Sequence, residues 1–357
     1  ADPAEGVAVP GKVVTLYLAA GVLLYLLMPI AARIPSISAL VSTGSTLAAV
    51  GVALKCWEAW ASGHRAHMWL WLALTATFPL VTVAAQGFLG YGFVAVLIVI
   101  AFVASLHRPS LVTAVAGVLA FYGGLSIYVT YMRDRTEIRE VVWGGEAVDR
   151  RLVQLQDTFH NVEWFDPRDE LHMRRVNERL NQDFLIGAAV LYLREGMVPY
   201  ANGGTLVAAA AAVIPRALWP DKPVVAGSGD VVTTYTGIRF VHGTSVGVGQ
   251  VMELYVNFGT AGVVFGFIGI GMLVTFVDRR AAVHLGRGDV RSFALWYMPG
   301  LSLLQIGGAV GEVAATAAAS LVVVLVVGVL SRGSSRSPMV DTERTAPLVA
   351  GQPEVAP

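Results

Sequence analysis

Apolar residues run along this chain in blocks long enough to cross a bilayer. Eight of them, at about 13–32, 38–54, 68–85, 87–106, 111–130, 260–277, 292–308 and 312–330, are nearly free of charge. About 20 apolar residues in a helix cover a hydrocarbon core roughly 30 Å thick. The pattern therefore predicts an all-α, polytopic membrane protein of about 8 to 10 transmembrane helices. Between the fifth and sixth blocks lies a hydrophilic stretch, 131–183, followed by two shorter apolar segments, 184–193 (FLIGAAVLYL) and 204–214 (GTLVAAAAAVI). Neither is long enough to span comfortably, so they predict a membrane-dipping hairpin or interfacial helices. A half-buried hairpin implies a cavity, because irregular backbone at membrane depth needs protein or water around it. Within the hydrophilic stretch, Leu171, Val176 and Leu180 recur at near-helical spacing and predict a helix over 169–182.

Four regions follow. Residues 1–130 form a five-helix bundle, 131–247 a large loop, 248–330 the C-terminal helices, and 331–357 a Ser-, Pro-, Thr- and Ala-rich tail of disordered composition. Lys and Arg in the short loops set the orientation. With the N-terminus cytoplasmic, the inner loops hold Lys55, Arg65, Arg108, Arg279, Arg280, Arg287 and Arg291, and the outer ones only Arg33. The tail, with Arg332 and Arg336, also falls inside, and the large loop outside. Arg133, Arg135 and Arg139 oppose this count, but they alternate with Asp134, Glu137 and Glu140, and long loops translocate largely regardless of charge.

Composition agrees with the pattern: 55% apolar, 14% charged, mean hydropathy +0.63. Zero net charge offers no footprint for nucleic acid. The single Cys56 excludes an internal disulfide framework and a cysteine metal site. No His or acidic spacing matches a zinc or calcium motif, and no cofactor is expected. The chain opens Ala-Asp-Pro without methionine, which predicts a processed or excised product with further helices upstream.

Candidate chemistry concentrates after residue 214. In IPRALWPDKP (214–223), three prolines forbid a continuous helix and hold Arg216 and Lys222 in a stiff turn beside Trp219, a residue type of membrane interfaces. Anchoring to lipid phosphates is the plain reading of these two cations. A Gly- and Thr-rich loop then carries Arg239 and His242 into 246–276, about thirty residues and too long for one untilted crossing. Asn257-Phe258-Gly259 marks the expected break. Glu253 precedes it among apolar neighbours, and an ionisable group so placed is a functional candidate. The competing reading is a structural ion pair with Arg216 or Arg239. Gly262, Gly266, Gly269 and Gly271 predict close helix packing.

IPRALWPDKP, followed about thirty residues later by MELYVNFGTAG (252–262), with the lead-in RLNQ (179–182), resembles the bacterial O-antigen polymerase family. The likeness covers roughly 175–275. O-antigen ligases have a related build. The chain is shorter than the ten or more helices common in such polymerases, a departure that fits a missing N-terminal part.

The resemblance implies a glycosyltransferase of the bacterial inner membrane, multi-pass, with both termini cytoplasmic. It would polymerise polyprenyl-diphosphate-linked oligosaccharide repeat units at the outer face, in contact with membrane lipids and a chain-length regulator. The diphosphate leaving group needs fixed cations, and Arg216, Lys222 and Arg239 have the chemistry. The acceptor hydroxyl needs a base, for which Glu253 and His242 are the candidates. Arg179, with Arg174 and Arg175, offers a second diphosphate site or a solvated helical face. Ligase-type transfer is the alternative, and a secondary transporter the second; only one broken region is visible, where transporters usually carry a matching pair.

Overall fold

A computed structural model describes residues 10–31, 35–106, 110–180, 183–214, 219, 228–239, 246–305 and 307–333. Among them there are fifteen helices and no strand. Seven helical stretches are long and apolar enough to cross a membrane: Gly11–Met28, Ile37–Ala61, Arg65–Gln86, Leu89–Leu106, Leu111–Trp143, Gly249–Gly286 and Val310–Ser331. The chain is a polytopic helical membrane protein. The remaining block, 292–308, is helical only over Val290–Ser302 (13 residues), with Pro299 near its end. That length covers about 20 Å at 1.5 Å per residue.

The first half begins with α1 (Gly11–Ala31), α2 (Pro35–Val41) and α3 (Gly44–Ala61). A Cβ on Gly51 would lie 2.5 Å from the Leu18 Cα, and one on Gly21 would strike the Ala48 backbone. Glycine is what lets α1 and α3 approach this closely, the usual route to helix association in lipid. The 68–85 block divides into α4 (Arg65–Leu74) and α5 (Thr77–Gln86), and α6 (Leu89–Leu106) returns beside α5, with Gly92 against Pro79.

One large core joins α1, α3 and α6 to α14 (Val290–Ser302) and α15 (Val310–Gly333). Trp57 and Tyr17 are buried in it. Phe293 of α14 stacks on Tyr297 at 4.8 Å and meets Phe102 of α6 at 5.9 Å.

The fifth span does not stop where its hydropathy does. α7 runs Leu111–Trp143, 33 residues and about 50 Å. Residues 125–143 contain no Gly or Pro, and Tyr131, Ile138 and Val142 keep an apolar face buried through the charged part. The helix ends at Gly144-Gly145, the latter at φ 77°. Tyr131 donates to the Gly87 carbonyl at 2.7 Å, so the extension stands beside the α5–α6 turn. α8 (Val148–His160) folds back through Leu155, and α9 (Glu170–Leu180) lies where the 169–182 pattern predicts a helix. The Asp169 carboxylate starts α9 by accepting the Leu171 and His172 N–H groups at 2.8 and 3.2 Å.

α10 (Asp183–Arg194), α11 (Gly204–Val213) and α12 (Ser228–Thr236) are too short to cross. α10 packs on α12 and on α13 (Gly249–Gly286), whereas α11 lies chiefly against α15. A second, smaller core gathers Leu185, Ala189, Val232, Met252 and Val256. Outward-facing apolar side chains such as Leu111, Phe121, Phe265 and Met272 suit a hydrocarbon surround.

Candidate functional site

The expected break in α13 is present. Gly259 has φ 65° and ψ −156°, a conformation essentially restricted to glycine, and it divides the helix into arms 249–258 and 260–286. The first arm folds back on the second: Cβ atoms on Gly262 and Gly266 would meet the Leu254 carbonyl and side chain at 2.6 Å. These glycines receive their own helix's other arm, not a neighbouring helix. Gly269 and Gly271 have nothing within 4 Å, so close packing does not account for them.

Breaking a helix frees backbone carbonyls, and here the Val256 carbonyl finds a new partner. The Val256 carbonyl, which a straight helix would pair with residue 260, accepts Ala201 N–H at 2.9 Å. Asn257, 1% exposed, takes Gly203 N–H on Oδ1 at 2.9 Å and donates from Nδ2 to Thr205 Oγ1 and the Glu253 carbonyl at 2.6 and 2.7 Å. Gln250 reaches the Gln305 carbonyl at 3.3 Å. The kink is thus tied to the start of α11 on one side and to the approach to α15 on the other.

Glu253 is buried, 4% exposed, and its Oε2 accepts Val310 N–H at 2.6 Å. Val310 opens α15, and the preceding Ala309 N–H donates to Glu312 Oε2 at 3.3 Å. Two carboxylates therefore meet the positive end of one helix dipole, one supplied from α13. No ion pair joins Glu253 to a described residue, and Arg239 is exposed after α12. The Glu253 Oε1 accepts no hydrogen bond from any described residue. Arg216, Lys222 and His242 lie outside the described residues, as does the Arg179 side chain. The structure therefore brings Glu253 to the kink, unpaired with Arg239, and its meeting with Arg216, Lys222, His242 and Arg179 lies outside the described residues.

A second polar centre was not anticipated from the sequence. Tyr122, Ser126 and Thr130 recur every four residues along α7, and the segment after α8 lies along this row. Phe165 and Glu163 N–H groups donate to Ser126 and Thr130 at 3.0 Å each, and Tyr122 donates to the Phe165 carbonyl. Glu163 then accepts from Arg133 at 3.1 Å, Arg175 at 3.2 Å and His172 at 3.3 Å. His172 Nδ1 accepts Asp166 N–H at 3.2 Å, so its Nε2 carries the proton offered to Glu163. Burial pushes the Glu163 carboxyl up, but the bonds from Arg133, His172 and Arg175 outweigh it and hold the group below its ordinary 4.5. Arg175 is engaged here and with the Val129 carbonyl, a structural role that does not suit it to a second diphosphate. The i, i+4 polar row within an apolar helix was the available signal; nothing local marks Glu163. Among the described residues, no three His, Cys, Asp or Glu side chains gather to hold a metal.

The family described as a domain of unknown function, DUF8712, matches residues 7–290. The chain belongs to the DUF8712 family. The match takes in α1 to α13 and the Gly259 kink, and it ends where α14 begins. No curated protein and no solved structure matches the chain.

Proposed function

We propose that this membrane protein polymerises polyprenyl-diphosphate-linked oligosaccharide repeat units at the outer face of a bacterial inner membrane. The observation that carries the reading is Glu253: a buried carboxylate at a helix break, oriented by one amide and with its second oxygen bonded to no described residue. It sits within the stretch 252–262 that resembles O-antigen polymerases, and the other resembling stretch, 214–223, directly follows α11.

In the proposed reaction the acceptor hydroxyl oxygen attacks the anomeric carbon of the donor sugar. Its proton passes to Glu253 Oε1, with His242 the rival base, as the bond to the diphosphate breaks. The leaving lipid diphosphate keeps the electron pair, and Arg216, Lys222 and Arg239 supply the cations that stabilise it. Losing a positioned acid–base group typically costs about 10²–10⁴ in rate, and losing a preorganised charge partner about 10²–10³.

The test is the glycan length profile of a host deleted for the gene and complemented with wild type, Glu253→Gln or Arg216→Ala, each at matched membrane abundance. A ladder from wild type and single repeat units from both variants is the expected result. Long chains stranded on the carrier lipid would instead indicate ligase-type transfer. An unchanged profile on deletion would remove glycan chemistry from consideration.

A further inference from the structure

A groove of about 590 Å³ opens along the end of α7, lined by Arg135, Thr136, Arg139, Glu140, Trp143 and Gly144. These residues form two adjacent rows at i, i+4 spacing on one helix. Trp143 is 61% exposed, yet its ring is held by three contacts. Its indole N–H donates to the Gln86 carbonyl at 3.1 Å, the Arg139 guanidinium lies 5.0 Å from the ring, and the Phe88 centroid lies 5.8 Å away. Arg139 also lies 4.5 Å over Phe88. An indole that merely greets headgroups needs no such fixation, and fixing it costs side-chain entropy. A rigid apolar plate beside polar groups is instead preorganised for a ligand with one apolar face and a polar rim. Arg135 and Glu140, on the same groove, make no ion pair with a described residue.

We propose that this groove is a saccharide subsite. Trp143 offers its plate to the C–H face of a sugar ring, Arg135 meets an anionic substituent, and Glu140 accepts from ring hydroxyls. The choice of saccharide as ligand class rests on the proposed function above. The subsite stands on α7 and the α5–α6 turn, elements separate from the Glu253 kink, so it holds glycan without taking part in bond formation.

The experiment uses the full chain in nanodiscs and, as probe, the oligosaccharide released by mild acid from the host's own polyprenyl-diphosphate pool. Binding is read by calorimetry for wild type, Trp143→Leu and Glu140→Gln. Leucine keeps an apolar anchor but removes the plate, and the expected loss of affinity is about tenfold, with a few-fold loss for Glu140→Gln. Equal affinity in wild type and Trp143→Leu overturns the subsite, as does a wild type that extends glycan in cells yet does not bind the probe. Should Trp143→Leu fail to fold, Glu140→Gln decides, because its side chain holds no described partner; unchanged affinity there overturns the subsite. An unchanged glycan profile on gene deletion sinks the proposed function and the saccharide assignment with it. A changed profile with unaltered variant binding sinks the subsite alone.

Discussion

Replacing Gly259 by alanine tests whether the kink in α13 is imposed by backbone conformation. At φ 65° and ψ −156° the position lies where an L-residue is strained by about 1–3 kcal/mol. A Cβ there would first meet the Tyr200 hydroxyl at 3.7 Å, an ordinary contact, so a clash adds nothing to the cost. Relief by straightening the helix would pull Leu254 from Gly266 and strip Val310 of its Glu253 acceptor, which costs more than the strain. About 2 kcal/mol, roughly thirtyfold in the folding equilibrium, is therefore the expected destabilisation. Gly269→Ala is the matched control: same helix, nothing within 4 Å, helical backbone, and an expected gain of up to about 1 kcal/mol from helix propensity. Thermal unfolding of the purified full chain in one detergent reads both. Coincident unfolding curves for the two variants would refute the assignment of the kink to Gly259.

Asn257→Leu should cost about 2–5 kcal/mol, because Gly203 N–H and the Thr205 hydroxyl would lose a buried partner; an unfolding temperature equal to wild type would contradict it. Gly51→Leu drives a side chain into the Leu18 backbone and should destabilise by about 3 kcal/mol or more, which urea or thermal unfolding will show or deny. Glu253→Gln retains an oxygen for Val310 N–H, so stability should hold while glycan extension falls by about 10²–10⁴; loss of both together would make the residue structural only. The Glu163 carboxyl is held below its ordinary 4.5, so its contribution to stability is present above that value and is lost as pH falls through the lower native value. The stability gap between wild type and Glu163→Gln should accordingly close in acid, and a constant gap from pH 3 to 7 would exclude this linkage.

Much of the membrane architecture is legible in the sequence because hydrocarbon imposes a length on every crossing helix. The α13 break was legible too, since an overlong apolar run containing Asn257-Phe258-Gly259 has one obvious place to bend. The length of α7 was not. Hydropathy falls at residue 131, but helix propensity does not, and the first Gly pair after it is Gly144-Gly145. The role of Glu253 at the start of α15 was hidden for a different reason. Its partner is a backbone amide 57 positions away, and an N–H belongs to every residue but proline. Side-chain charge pairing suggested Arg216 or Arg239 as the partner; among the described residues a helix terminus supplies it.

The position of α14 bears on how this family is to be delimited. Val290, Phe293, Ala294 and Met298 fill the centre of the main core, together with Val323, Val324 and Val327 from α15. The DUF8712 match ends at 290, among these residues. A boundary of sequence similarity here passes through the interior of the packing, so it is no folding boundary. A chain cut at residue 290 would open that interior and remove the Val310 N–H that the Glu253 carboxylate accepts.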